Sequence, residues 1–211
     1  MNLKKINPSL QKSLVENDLL EPVELLAETF SAIKSGGDCY IVAPSGSGKT
    51  TMLVINTIQK LSKAEGESTR ALLIVESKEK MLEMVDLFQV YGKYTDLRVH
   101  GTNDKTDIDN DKNLISLGID VLIGTPNKIN ALFSGAGFNM NTVRLFIVDD
   151  ADKVFANRSE TIVMRLAQSI KSTQYIFTVT DETEKTESVA DKVMDEPTWF
   201  DFYPNDDEDD D

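Results

Sequence analysis

The sequence predicts a three-layer α/β domain: a mainly parallel sheet covered by helices on both faces. Three observations carry that prediction. Short apolar runs alternate with amphipathic stretches along most of the chain, as strands and helices do around parallel sheets. A Ser/Gly loop, A-P-S-G-S-G-K-T-T at positions 43–51, joins the first apolar run to a long amphipathic stretch. A fully apolar run at 145–148 then ends in two aspartates, Asp149 and Asp150.

Residues 3–35 read as helical. Leu10, Leu14, Leu19 and Leu20 come first; Pro22 restarts the chain, and Val23, Leu26, Phe30 and Ile33 follow at helical spacing. Gly36-Gly37 ends that segment. A strand is expected over 39–43, a helix over 49–61, a polar loop over 63–69 and a strand over 71–75. The next helix, 78–91, places Met81, Met84, Val85 and Phe88 on one face, which suits core packing. A short strand is expected over 96–100 and a polar loop over 101–113. Asp104, Asp107, Asp109 and Asp111 give that loop a superficial likeness to a calcium loop, but the central Gly and terminal Glu are missing. A helical turn at 114–117, a strand at 121–124 and a turn opened by Thr125-Pro126 follow. The strand at 145–148 precedes a helix at 160–170, a strand at 175–179 and a last helix at 184–194.

The 211 residues fit one domain, 1–203, with an acidic and disordered tail at 204–211. No apolar run reaches the ~18 residues a membrane span requires, and the N-terminus lacks the apolar core of a secretory signal. The single cysteine, Cys39, suits a buried strand position and a reducing compartment, so a cytoplasmic location is expected. His100 is the only histidine and has no cysteine or carboxylate cluster near it in sequence, which argues against a structural metal site. The net charge of −14 ordinarily argues against nucleic acid, but it is unevenly spread. Residues 182–211 hold 13 acidic and 2 basic side chains and so carry −11, leaving −3 for residues 1–181. A local basic groove therefore stays possible on the folded part.

Strand, glycine-bearing loop, Lys-Thr and helix in that order form a phosphate cradle. Gly46 and Gly48 let the backbone turn its N–H groups around an anion, and the new helix adds the positive end of its dipole. Ala43, Ser45, Gly46, Ser47, Gly48, Lys49, Thr50 and Thr51 are the candidate nucleotide-binding residues. Lys49 would neutralise β/γ-phosphate charge and the Thr50 hydroxyl would coordinate Mg²⁺. A strand delivering a carboxylate beside such a loop is the metal-holding element of phosphoryl-transfer proteins. Asp149 is the candidate to orient Mg²⁺ through its waters, and Asp150 to polarise an attacking water. With Lys49 they form the candidate catalytic set.

These residues resemble the DEAD-box RNA helicase family. D-D-A-D at 149–152 is similar to its D-E-A-D signature, and A-P-S-G-S-G-K-T to its A-x-T-G-S-G-K-T. Val75–Glu79 stands where the family has P-T-R-E, His100-Gly101-Thr102 near its glycine pair, T-P-N-K at 125–128 for T-P-G-R, and Phe177–Thr180 for S-A-T. The matches keep one order over residues 3–203. The resemblance implies a RecA-like P-loop NTPase domain, the N-terminal half of a helicase core, with ATP and Mg²⁺ as cofactors and RNA as partner. It implies RNA-backbone contacts at Lys78, Gly101, Thr125 and Lys128, and coupling of nucleotide to RNA through Thr178 and Thr180. The bland alternative is that Lys78 and Lys128 merely begin helices and face solvent.

The departures qualify this reading. Leu26 stands where the family reads adenine with a glutamine, and Asp150 replaces the catalytic glutamate with a side chain one methylene shorter. A misplacement of about 1 Å can cost about 100-fold in rate. Family helicases close a second RecA-like domain over the nucleotide, whose arginine fingers contribute about 10³–10⁵-fold, and this sequence, ending at Asp211, is expected to lack it. Weak or partner-dependent hydrolysis is therefore expected, with a protein partner able to supply that domain; the alternative is a catalytically inactive nucleotide-binding or protein-interaction module. Trp199, Phe200, Phe202 and Tyr203 read as a final strand docked on the sheet. The other reading joins them to the tail as an aromatic-acidic peptide that binds a partner or masks the protein's own basic groove.

Overall fold

The computed structural model describes residues 6–19 and 23–203. Leu20, Pro22 and the acidic tail at 204–211, each part of the sequence reading, lie outside those residues. Two helices open the described chain, α1 (Pro8–Glu16) and α2 (Glu24–Ser35). Asn7 caps α1 by accepting the Ser9 amide, and Gly36 at φ 97° ends α2 in the left-handed conformation glycine favours.

Strand and helix then alternate: β1 (Cys39–Val42), α3 (Lys49–Leu61), β2 (Ala71–Ile74), α4 (Lys78–Tyr91), β3 (Val99–Thr102), α5 (Ile108–Ser116), β4 (Val121–Gly124) and α6 (Pro126–Ser134). A 3₁₀ turn at Met140–Thr142 leads to β5 (Leu145–Val148), α7 (Ala151–Ala156), α8 (Glu160–Gln168), β6 (Gln174–Val179), α9 (Glu184–Val193) and β7 (Thr198–Asp201). The seven strands form one sheet in the order β3-β4-β2-β5-β6-β1-β7, and every neighbouring pair is parallel. Such a sheet must bury both faces, and the strand sequences show why it does. Cys39 and Ile41 of β1 pack with Leu10, Leu26, Leu53 and Met84 on the α1–α4 side. Tyr40 and Val42, one residue out of phase, pack with Ile129, Phe155, Val163 and Val189 on the other.

Four details differ from the sequence expectation. The third strand runs Val99–Thr102, starting three residues and ending two residues later than the expected 96–100. The polar loop expected over 101–113 gives way to α5 from Ile108, which also takes in most of the helical turn expected at 114–117 and ends at Ser116. The turn at Thr125-Pro126 is the start of helix α6, with Pro126 at a first-turn position that needs no N–H donor. Asp150-Ala151 opens a short helix, α7. At the far edge, β7 pairs with β1 in the register Cys39↔Thr198, and Trp199 lies 4.1 Å from the Tyr40 ring. The aromatic run is thus docked on the sheet.

Candidate nucleotide and nucleic-acid site

The carboxyl ends of the parallel strands share one rim, where ligands of such sheets bind. From β1 the chain turns through Gly46 at φ 80° and Gly48 at φ 92°, conformations a side chain would strain, and enters α3 at Lys49. Ala43 is fully buried and its amide donates to the Val179 carbonyl at 3.1 Å. The loop therefore starts from a residue fixed in the sheet. Lys49 is 6% exposed and its ammonium is drawn inward, donating to Ala43 O at 2.7 Å, Pro44 O at 3.1 Å and Thr180 Oγ1 at 2.9 Å. It also lies 3.4 Å from Asp150 Oδ1. Ser45 and Gly46 are exposed at the tip of the loop, Thr51 is half-buried, and the buried Ser47 hydroxyl has no partner among the described residues.

Because β6 lies between β5 and β1, Thr178 in it and Thr180 just after it stitch the two halves of the site together. The Thr50 hydroxyl donates to Asp149 Oδ2 at 2.7 Å and the Thr178 hydroxyl to Asp149 Oδ1 at 2.8 Å. Thr178 in turn accepts the Asp150 amide at 2.9 Å. Two residues on, the Thr180 amide donates to Asp152 Oδ1 at 3.0 Å and its hydroxyl to Asp150 Oδ1 at 3.4 Å. Thr178 and Thr180 thus touch the phosphate-loop lysine and the aspartates at once.

Asp149 is wholly buried, and burial pushes its carboxyl above the ordinary value, opposed chiefly by the charge of Lys80. Burial also works against the charged form of Asp150, but a hydrogen bond from Lys153 and the charges of Lys49, Lys153 and Lys80 outweigh it and hold that carboxyl below its usual range. Asp150 sits at φ 51°, in the left-handed region that aspartate tolerates better than most residues. Its two oxygens are taken by Lys49 and, at 2.8 Å, Lys153.

An open cavity of about 400 Å³ lies over these groups, lined by the loop, Lys49, Thr50 and Asp150, and by Lys80, Glu83 and Lys153. The sequence reading did not single out the last three. Lys153 stands one turn after Asp150 and Lys80 in the first turn of α4, spacings visible in the chain, but only the fold aims them into the same cavity. Another cavity, of about 450 Å³, lies near Arg70 and Arg144 at the amino ends of β2 and β5, on the opposite rim. The oxygen donors Thr50 and Asp149, side by side, have the hard character a magnesium ion requires. Among the described residues there is no group of three or more His, Cys, Asp or Glu side chains that could hold a metal by itself.

The nucleic-acid candidates fall on the adjoining part of the rim, at the ends of the neighbouring strands β2, β4 and β3. They are not equally available. Lys78 begins α4 and is exposed. Gly101 lies in β3, where a Cβ would collide with Met81 Sδ and Val85 Cγ2, so glycine there lets α4 press onto the sheet. Thr125 is buried, with a hydroxyl that has no partner among the described residues. Lys128 neither faces solvent nor is free: it is 6% exposed, donates to Thr106 O at 2.5 Å and lies 3.0 Å from Asp111 Oδ2. Asp111, read from sequence as part of a loop, is buried and gathers four side chains. His100 Nε2 lies at 2.9 Å, Thr102 Oγ1 at 2.7 Å and Thr106 Oγ1 at 2.8 Å, besides Lys128.

A family model for DEAD/DEAH box helicases matches residues 25–188 and so spans the loop, both aspartates and both threonines. The chain belongs to this helicase family. It is 23% identical over 198 residues to the ATP-dependent RNA helicase eIF4A of Lodderomyces elongisporus, covering 93% of this chain and 49% of the relative. It is 28% identical over 192 residues to the ATP-dependent rRNA helicase RRP3 of Encephalitozoon cuniculi, covering 87% and 47%. The chain thus spans about half the length of the curated relatives it matches. Among solved structures, a DEAD box protein from Methanococcus jannaschii superposes with a TM-score of 0.86 at 16% identity, over 93% of this chain and 54% of that one. Saccharomyces cerevisiae Dbp5, in a structure bound to Gle1 and IP6, does so with a TM-score of 0.85 at 17% identity, over 95% and 51%. The α/β architecture is therefore that of the RecA-like half of DEAD-box proteins. Leu26, at the position read as the family's adenine-reading glutamine, is 1% exposed among core side chains.

Proposed function

We propose that this domain binds ATP in the cavity above Lys49 and RNA along the adjoining rim, and hydrolyses ATP slowly by itself. The observation that supports it most is the Thr50–Asp149–Thr178 chain of hydrogen bonds, which joins the phosphate loop to the carboxylate strand. In this reading the loop amides and Lys49 hold the phosphates, and Lys49 exchanges its contacts to Ala43 O and Pro44 O for phosphate oxygens. Thr50 and Asp149 are the residues that would hold Mg²⁺, which when bound neutralises charge on the phosphate oxygens. Asp150 is the candidate to orient the attacking water. Both its oxygens are paired to lysines, which is why slow turnover is expected until one pair opens. Thr178 and Thr180 would pass the state of the nucleotide toward the RNA rim. Lys78 is the lead RNA contact, since Lys128 must leave Asp111 before it can touch a phosphate. A second RecA-like domain, in this protein or a partner, would speed the reaction by closing over the nucleotide.

The second reading is a module that binds nucleotide or a protein partner without turnover. The lysine-paired Asp150 and the apolar Leu26 favour it. The cytoplasm is our proposed location; the single, buried Cys39 suits a reducing compartment, and no helix among the described residues is long and apolar enough to cross a membrane. Phosphate release from ATP, measured with and without RNA, separates the two. RNA-stimulated release abolished by Lys49→Ala and Asp149→Ala supports the enzyme. Nucleotide binding with no release under any RNA condition supports the module.

A further inference from the structure

We propose that the outer edge of β7, with the open ring of Trp199 beside it, docks a basic, extended segment of another protein. The inference is independent of the nucleotide reading above.

Among the described residues β7 closes one side of the sheet and pairs only with β1. The Thr198 and Phe202 amides turn toward β1, donating to Asp38 O at 2.9 Å and to Val42 O at 3.0 Å. Strand alternation therefore turns the Trp199 and Asp201 amides outward. An open edge of this kind is a template for another strand. Trp199 is 46% exposed but not loose. It stands opposite Tyr40 in the strand register, with the two rings 4.1 Å apart. Tyr40 is fully buried and anchored to α9, its hydroxyl donating to Thr186 Oγ1 at 2.7 Å. The indole is thus a fixed, half-open ring on the α9 side of the edge.

Carboxylates gather on the same side. Asp201 follows Trp199 by two residues and so shares its face of β7, and Glu187 follows Thr186 on α9. Glu182 stands just before α9; burial first, then the charges of Glu187 and Asp201, raise its carboxyl above the ordinary value. Among the described residues none of the three has a cation in ion-pair range. Lys185, between Glu182 and Glu187 in sequence, instead donates to Phe155 O at 3.2 Å and lies 3.7 Å from Glu160 Oε1. Residues 181–203 hold eight acidic and two basic side chains, and 205–211 add six acidic ones.

This charge selects the occupant. A second copy of the chain would bring the same negative edge, and nucleic acid is an anion, so the field repels both. A strand bearing lysine or arginine is attracted. It can lay a cation on the Trp199 ring and exchange main-chain hydrogen bonds with the outward amides. The bland reading, a solvated acidic face, does not account for the open backbone row or for an indole held in place yet left half uncovered.

Trp199 is the single tryptophan of the chain, so its emission reports on this surface alone. The test titrates the protein with a peptide of about eight residues alternating lysine and valine, long enough to lie along the edge. We expect saturable binding with a change in Trp199 emission, weakening as salt screens the charges. A glutamate–valine peptide should not bind. A lysine–proline peptide keeps the charge but cannot donate main-chain hydrogen bonds, and should bind about tenfold more weakly. Glu182→Gln combined with Glu187→Gln alters two exposed side chains and should cost about fivefold or more in affinity for the lysine–valine peptide. No binding, or binding without a change in Trp199 emission, overturns the proposal; so does equal affinity in the double variant, which would place the peptide elsewhere on the acidic chain. Equal affinity for the lysine–proline peptide overturns strand addition at the edge. Self-association of the chain without peptide binding assigns the edge to a second copy and overturns the proposal as well.

Discussion

Asp111→Ala isolates a buried polar cluster beside the proposed RNA rim. The carboxylate is 1% exposed and has four side-chain partners: His100, Thr102, Thr106 and Lys128. Truncating it strands the Lys128 ammonium, itself 6% exposed, with the Thr106 carbonyl as its remaining partner among the described residues. Removing one member of a buried ion pair typically costs about 3–5 kcal/mol, because a charge is left uncompensated out of water. With a urea dependence of about 2 kcal/mol per molar, the unfolding midpoint should fall by about 2 M. Asp111→Ala combined with Lys128→Met removes both charges and should recover more than half of that loss. The pH dependence carries a sign as well. Burial opposes the charged Asp111, but the hydrogen bonds from Thr102, Thr106, His100 and Lys128 prevail and hold its carboxyl below the ordinary range. A depressed carboxyl contributes stability above its unfolded value and loses it as pH falls through the folded one, so the gap between wild type and variant should shrink in acid. Equilibrium urea unfolding at neutral and acid pH measures both effects. A midpoint shift below about 0.5 M at neutral pH, corresponding to under about 1 kcal/mol, would refute the reasoning.

Other perturbations give equally direct outcomes. Asp120 is buried between Arg70 and Arg98, and although burial opposes its charge, the hydrogen bonds from Arg98, Arg70 and the Glu65 amide hold its carboxyl down at about 2. The group should therefore supply on the order of 2 kcal/mol at neutral pH, lost as pH falls from about 4 through about 2; Asp120→Asn should flatten that acid limb of a urea-stability profile. Gly101→Ala drives a methyl group into Met81 and Val85 and should cost about 1–3 kcal/mol in the same unfolding assay. Lys78→Ala should weaken RNA binding for all sequences alike and lower the slope of log affinity against log salt by about 1, as read by a filter or anisotropy titration.

The parts of the fold that were legible from sequence are those where local pattern and burial agree. β1, β2, β4 and β5 are short continuous apolar runs, each buried on both faces, and their strand ends locate the rim directly. The phosphate loop was legible because its glycines are needed where the backbone turns to positive φ. α5 was not, because it buries only Asp111 and Ile115 along its length, and its other aspartates favour turns in the absence of tertiary partners. α6 carries a readable signal, Pro126 in its first turn, but Thr-Pro opens turns as readily as helices, and only the buried Ile129 and Leu132 decide between them. β3 contains a glycine that reads as a breaker in sequence, and only the approach of α4 explains why it stays in the strand. In the candidate site, Lys49, Thr50, Asp149 and the two threonines followed from spacing and family likeness. Lys80 and Lys153 are ordinary lysines in ordinary helices until the sheet order brings α4 and α7 to the same cavity. The burial of Lys128 was hidden for the same reason, since its partner Asp111 belongs to the helix that sequence did not reveal.

The account depends above all on a triphosphate lying over Lys49. Isothermal titration of the wild-type domain and Lys49→Ala with a non-hydrolysable ATP analogue tests that most directly. Saturable binding to one site, weakened about 10–100-fold by Lys49→Ala as the loss of a charged hydrogen-bond donor requires, is the predicted result. No measurable binding by the wild-type domain, or equal affinity in the variant, would contradict it.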